Sequence, residues 1–128
     1  MSSEIHTRIR EEVLRDPRYP LHRIADKLLP YLQLLADRFQ PERVILFGSF
    51  AHGNPHQDSD VDLLVLKTIE KSPTADATAI RKALRPLRHM VANFSLDIMV
   101  RAPDDFRSRV ERGSSFHADI SENGIVLI

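Results

Sequence analysis

The chain has no cysteine. Disulfides and thiolate metal sites are therefore excluded, and the absence fits a reducing compartment. Nor is there a surplus of either charge: eighteen Lys and Arg balance eighteen Asp and Glu over 128 residues. So balanced a chain is no indiscriminate binder of polyanions. Direct nucleic-acid binding is not expected, and any partner must be recognised by local patches. No run approaches the ~20 apolar residues of a membrane-spanning helix. The start Met1-Ser2-Ser3-Glu4 lacks the apolar core of a signal peptide, so the expectation is a soluble, cytoplasmic protein with no membrane partner. Internal repeats, low-complexity tracts and dividing linkers are missing too. Among the six histidines only His52 and His56 stand at a His-x3-His interval, and no cysteine or third histidine joins them at zinc-ligand spacing. The length suits one domain that buries about two thirds of its unfolded surface.

What is present is patterned. Ser2 or Ser3 can cap a helix running to about Arg15, which Asp16-Pro17 ends because proline disfavours helix in the residue before it. A second helix is expected after Pro20. Its Ile24, Leu28, Leu32, Leu35 and Phe39 recur at spacings of three and four, leaving Arg23, Lys27 and Arg38 in water, and Pro41 stops it. Val44-Ile45-Leu46-Phe47 reads as a buried strand, and Leu63-Leu64-Val65-Leu66 as another. Ser72-Pro73-Thr74 marks a loop and cap, after which Ile80, Leu84, Leu87 and Val91 predict a helix kinked at Pro86. In the strand 94–100, Phe94, Leu96, Ile98 and Val100 alternate onto one face and Asp97 falls on the other. Helices interleaved with strands in this order give an α/β or α+β class.

Between the first two strands lies Gly48-Ser49-Phe50-Ala51-His52-Gly53-Asn54-Pro55-His56-Gln57-Asp58-Ser59-Asp60-Val61-Asp62. Gly48-Ser49 turns the chain towards a short helix whose first backbone N–H groups can face a phosphate. Strand alternation places Asp60 and Asp62 on one face and Val61, Leu63 and Val65 on the other, so both carboxylates can grip one metal. Taken singly, Gly-Ser is an ordinary turn and Asp-x-Asp a solvated strand edge. Together, ten residues apart and followed at once by a buried strand, they place two acids where their charge costs stability unless something positive sits beside them.

Gly48-Ser49, ten residues, then Asp60-x-Asp62 resembles the signature of the nucleotidyltransferases of the DNA polymerase beta superfamily. Gly48-Ser49-Phe50-Ala51-His52-Gly53 is similar to the G-S-x-A-R-G of the minimal nucleotidyltransferases, often paired with a helical HEPN partner; His52 stands where members commonly carry Arg. Asp97 falls where the family's third carboxylate would, and Ile120-Ser121-Glu122-Asn123-Gly124-Ile125-Val126-Leu127-Ile128 looks like its closing helix, glycine stop and short apolar strand. The resemblance spans about residues 41–128. It implies a nucleotidyltransferase fold, a small mixed sheet flanked by helices, with residues 1–40 as N-terminal helices and 41–128 as catalytic core. It further implies ATP as substrate, two Mg2+ ions held by Asp60, Asp62 and Asp97, β- and γ-phosphates held by Gly48 and Ser49, and Asp97 drawing the proton from an attacking hydroxyl. Its antitoxin members place AMP on a tyrosine of a HEPN toxin. The signature addresses phosphates and metal, and is silent on the base.

Other readings stay open beside this one. A chain with the same fold can neutralise a partner by contact alone, and a relative can modify an antibiotic hydroxyl instead of a protein. Arg112-Gly113-Ser114-Ser115-Phe116-His117 fits the Arg-x4-His pattern of HEPN ribonucleases, but those domains are all-helical and this chain carries strands. Arg81, Arg85 and Arg88 share one helical face, either the solvated side of an amphipathic helix or a docking surface for an acidic partner or a phosphate. His52 and His56 flank the nucleotide loop and read as exposed loop residues.

Overall fold

The computed structural model describes residues 8–56, 59–89 and 95–128. Its elements in chain order are α1 (Glu11–Leu14), a 3-10 turn (Pro20–Ile24), α2 (Ala25–Phe39), β1 (Arg43–Phe47), α3 (Ser49–His52), β2 (Val61–Leu66), α4 (Pro73–Leu84), a second 3-10 turn (Arg85–His89), β3 (Leu96–Arg101), α5 (Pro103–Glu111), α6 (Ser115–Asn123) and β4 (Ile125–Val126). The four strands form one mixed sheet in the order β3-β2-β1-β4, with β2 and β3 parallel and the other pairs antiparallel. Helices pack on both faces, as the α/β class and the small mixed sheet anticipated.

Alternation along the strands feeds two cores. Val44, Leu46, Val61, Leu63, Val65, Ile98 and Val100 face a large cluster that takes in Leu28, Leu32 and Leu35 of α2 and Ile80 and Leu84 of α4. Ile45, Leu64 and Leu66 face the other way, onto Phe106 of α5 and Ile120 of α6. α2 is thus part of the same core as the sheet, which its apolar spacing predicted. Pro30 lies inside it, removing one backbone hydrogen bond; burial of Leu28, Tyr31, Leu32, Leu35 and Ala36 outweighs that loss. Gln40, at a left-handed φ of 44°, ends the helix before Pro41.

Three local expectations change. The first helix, expected from Ser2 or Ser3 to Arg15, is a single turn at Glu11–Leu14 where the structure describes it; its serine cap and Val91 and Phe94 lie outside the described residues. The α-helix of α4 stops at Leu84, and Pro86 sits in a 3-10 turn that carries Arg85 and Arg88, since proline cannot donate the next α-helical bond. Finally, α5 was not foreseen, although Pro103 at its first position, Asp104 and Asp105 in the first turn and a buried Phe106 are ordinary signs of a helix start.

Two arginines finish the outer edge of β3. Val61 and Lys67 donate to the odd-numbered carbonyls of Ser95 and Arg101, so the even-numbered carbonyls face outward from the sheet. Arg81 donates to Ile98 O at 2.9 Å and Arg101 to Val100 O at 2.8 Å. No helix among the described residues is long and apolar enough to cross a membrane.

Candidate active site

The site forms where β1 ends and β2 and β3 begin. Register sets it: Phe47 of β1 pairs with Asp62 of β2, and Asp62 with Asp97 of β3, so three side chains stand in one row on one face. Asp60 immediately precedes β2. Asp62 is half-buried, while Asp60 and Asp97 are exposed. Burial raises the pKa of Asp62, and the neighbouring charges of Asp97 and then Asp60 raise it further. The structure therefore brings together all three acids singled out from sequence. Among the described residues none of them accepts a hydrogen bond or an ion pair, leaving their charge uncompensated by protein.

Gly48 closes the other side. Its φ of 81° is one that side chains rarely adopt, and a Cβ there would stand 2.3 Å from Asp62 Oδ2. α3 follows directly, with Ala51 N–H donating to Gly48 O at 3.0 Å and Gly53 N–H to Ser49 O at 2.8 Å; the first N–H groups of such a turn have no partner within it. Gly48-Ser49 thus lies against the same carboxylate that faces Asp97. Gly48→Ala is expected to destabilise the fold by about 1–3 kcal/mol and to push Asp62 out of line, so that a chemical melt and any Mg-ATP stabilisation both suffer. A variant with unchanged melting and unchanged ligand response would show that the close approach is not needed.

A hard divalent cation fits this donor set: carboxylate oxygens only, with no sulfur or imidazole among them. Among the described residues, no three acidic, histidine or cysteine side chains converge closely enough to hold one ion.

His52 has a structural task. Its Nε2 lies 2.6 Å from Asn123 O; a carbonyl only accepts, so Nε2 carries the proton. The ring also meets Tyr19 edge-on at 5.7 Å. It ties α3 to the end of α6 and is no free loop residue. His117 is buried against Phe106, its Nδ1 2.7 Å from Ser114 Oγ, and burial lowers its pKa, helped by Arg109 and Arg101. Arg112 caps α5 and Gly113 turns the chain at φ 89°, so the Arg-x4-His string spans a helix–helix corner in a sheet-bearing fold. Arg81, Arg85 and Arg88 do line one cleft of about 150 Å³ with Tyr31 and Leu96. Arg81, however, is committed to the edge of β3, which leaves Arg85 and Arg88 as the outward part of that stripe.

A search of curated proteins finds no match. The family described as Polymerase beta, Nucleotidyltransferase matches residues 31–127, from the middle of α2 through all four strands and beyond β4. With that match over well more than half its length, and with Gly48-Ser49 set against a row of carboxylates, the chain belongs to the polymerase beta nucleotidyltransferase family.

Proposed function

We propose that the protein moves AMP from ATP to a hydroxyl of a partner protein, a tyrosine of a HEPN-type toxin, and so acts as the antitoxin of a pair. The observation that carries the transfer reading is the Asp62–Asp97 row with Asp60 beside it and Gly48 pressed against Asp62. The choice of partner rests on the resemblance of residues 48–53 to the minimal nucleotidyltransferases. Exposure of Asp60 and Asp97 supports an acceptor as large as a protein, because the acceptor side of the row is open.

In this reading Gly48 and Ser49 hold the β- and γ-phosphates through backbone N–H groups and the Ser49 hydroxyl. Asp60, Asp62 and Asp97 are the residues to hold Mg2+, which supplies charge neutralisation to the triphosphate and to the departing pyrophosphate. Asp97, on the exposed end of the row, takes the proton of the tyrosine hydroxyl. That oxygen bonds to the α-phosphorus, the bond from the α-phosphorus to the α,β-bridging oxygen breaks, and pyrophosphate leaves. The new AMP carries bulk and negative charge into a cleft that binds RNA and repels the phosphate backbone.

The test is to co-express the product of the neighbouring reading frame with the wild type and with Asp60→Asn, then weigh that product intact. A mass gain in whole AMP units with the wild type alone is expected. Rescue of growth by Asp60→Asn with no change in mass would replace transfer by neutralisation through contact.

A further inference from the structure

Among the described residues one large apolar side chain is left exposed: Phe116, in the first turn of α6, with half its surface in solvent. It is not loosely held. Its ring meets Phe47 edge-to-face at 5.9 Å and 86°, and His117 at 5.3 Å and 88°. His117 is itself buried and fixed by Ser114. Two perpendicular contacts hold the ring while half of its surface stays free.

Its position matters more than its exposure. Phe47 is the cross-strand partner of Asp62, so the sequence of side chains across this end of the sheet is Asp97, Asp62, Phe47, and then Phe116 from the helix above. With strands ~4.8 Å apart and the Phe47 and Phe116 ring centres 5.9 Å apart, Phe116 lies no more than about 11 Å from Asp62, a span that a nucleoside can bridge. A cleft of about 310 Å³ beside α3 and the end of α6 is lined by both Phe47 and Gly48, so the residue that backs Phe116 also borders the glycine turn.

We propose that Phe116 is the platform on which the base of the bound nucleoside triphosphate stacks, with Phe47 backing it. The proposal rests on the nucleotidyl-transfer reading and deepens it by assigning the part of the ligand that the Gly-Ser and Asp-x-Asp signature leaves untouched. A lone aromatic face reads the area of a base and not its exocyclic groups. ATP and GTP therefore bind alike, and both bind more tightly than CTP or UTP.

The test compares Mg-ATP with Mg-tripolyphosphate, which has the phosphates and no base, by calorimetry on the wild type, Phe116→Ala and Phe116→Trp. The wild type should bind ATP more tightly than tripolyphosphate. Phe116→Ala should weaken ATP by roughly 5- to 150-fold, the effect of losing one base–aromatic stack, and leave tripolyphosphate unchanged. The chain has no tryptophan, so Phe116→Trp supplies a single indole, which ATP should quench and tripolyphosphate should not, with ATP affinity retained. Wild-type affinity for ATP in Phe116→Ala overturns the proposal. So does an equal loss of both ligands, which signals a disturbed α6, or a wild type that binds tripolyphosphate as tightly as ATP, while each leaves the phosphate site standing. A wild type that binds neither ligand removes the transfer reading and the platform together.

Discussion

Asp62→Asn is expected to lower nucleotidyl transfer by three orders of magnitude or more, about 4 kcal/mol of lost transition-state stabilisation, while raising the melting temperature of the ligand-free protein. The two effects have one cause. Asp62 is half-buried in the row with Asp97, with Asp60 beside it, and both burial and these like charges push its pKa up. A group whose pKa is raised by folding weakens the folded state once the pH lies above that pKa, so at neutral pH the Asp62 charge opposes folding. Asparagine keeps the shape and removes the charge. The checks are a turnover assay and paired melts in chelator, followed by melts with Mg-ATP, which should stabilise the wild type by linkage and not the variant. If Asp62→Asn melts lower than the wild type in chelator, the carboxylate is a structural asset and the row is not held against its own repulsion.

Asp76→Asn should have the largest effect on stability. Asp76 and Lys67 are both buried, with Lys67 Nζ 2.9 Å from Asp76 Oδ2. The same carboxylate also accepts from the backbone N–H of Glu70 at 2.8 Å and of Lys71 at 3.1 Å. It therefore binds the loop after β2 to the start of α4. The amide cannot serve all three donors, and it leaves a buried ammonium with the Thr68 carbonyl at 2.7 Å but no counter-charge, which costs about 3–5 kcal/mol and on the order of 10 °C or more in melting temperature. Lys67→Met should cost less, because Asp76 would still hold both N–H groups.

The acid limb gives an independent reading of the same contact. Burial alone would raise the pKa of Asp76, but the two backbone N–H groups and Lys67 outweigh it and hold the carboxyl down at about 2. A pKa depressed by folding contributes stability that is fully present above the unfolded carboxyl value near ~4 and is lost as pH falls through the folded one. Urea midpoints of wild type and Asp76→Asn should consequently differ most above pH ~4 and converge as the pH approaches 2. A gap independent of pH over that window would mean that the ion pair is not what Asp76 supplies.

These two aspartates mark what could and could not be read from the chain. Asp62 was legible because its chemistry is local: strand alternation and the fixed interval from Gly48 define it before any partner is known. Its closeness to Asp97 came only through a family resemblance, since the parallel register between β2 and β3 is set by packing across a crossover and not by local spacing. Asp76 looks in sequence like any acid in the first turn of a helix. Its value lies in Lys67, nine residues back, and in a loop whose shape no periodicity describes. Arg81 and Phe116 were hidden for the same reason. One passed for the wet side of an amphipathic helix and the other for part of a decoy motif, and only the edge of β3 and the ring of Phe47 show what each one touches. The unforeseen α5 is different. Its signals were all present, but the apolar side is narrow, with Phe106 as the one fully buried residue.

The two arginines that cover the outer edge of β3, one from α4 and one from the strand itself, bear on what can pair there. A bare edge invites any extended chain, including another copy of itself, to add a strand through backbone hydrogen bonds, with little regard for sequence. Here an incoming strand would find the acceptors of Ile98 and Val100 already taken by Arg81 and Arg101, and would have to displace two charged donors to pair. Indiscriminate sheet growth, the usual seed of fibres, is discouraged on that side. Any partner that approached along that edge would have to be recognised by side chains, not by a free backbone ladder.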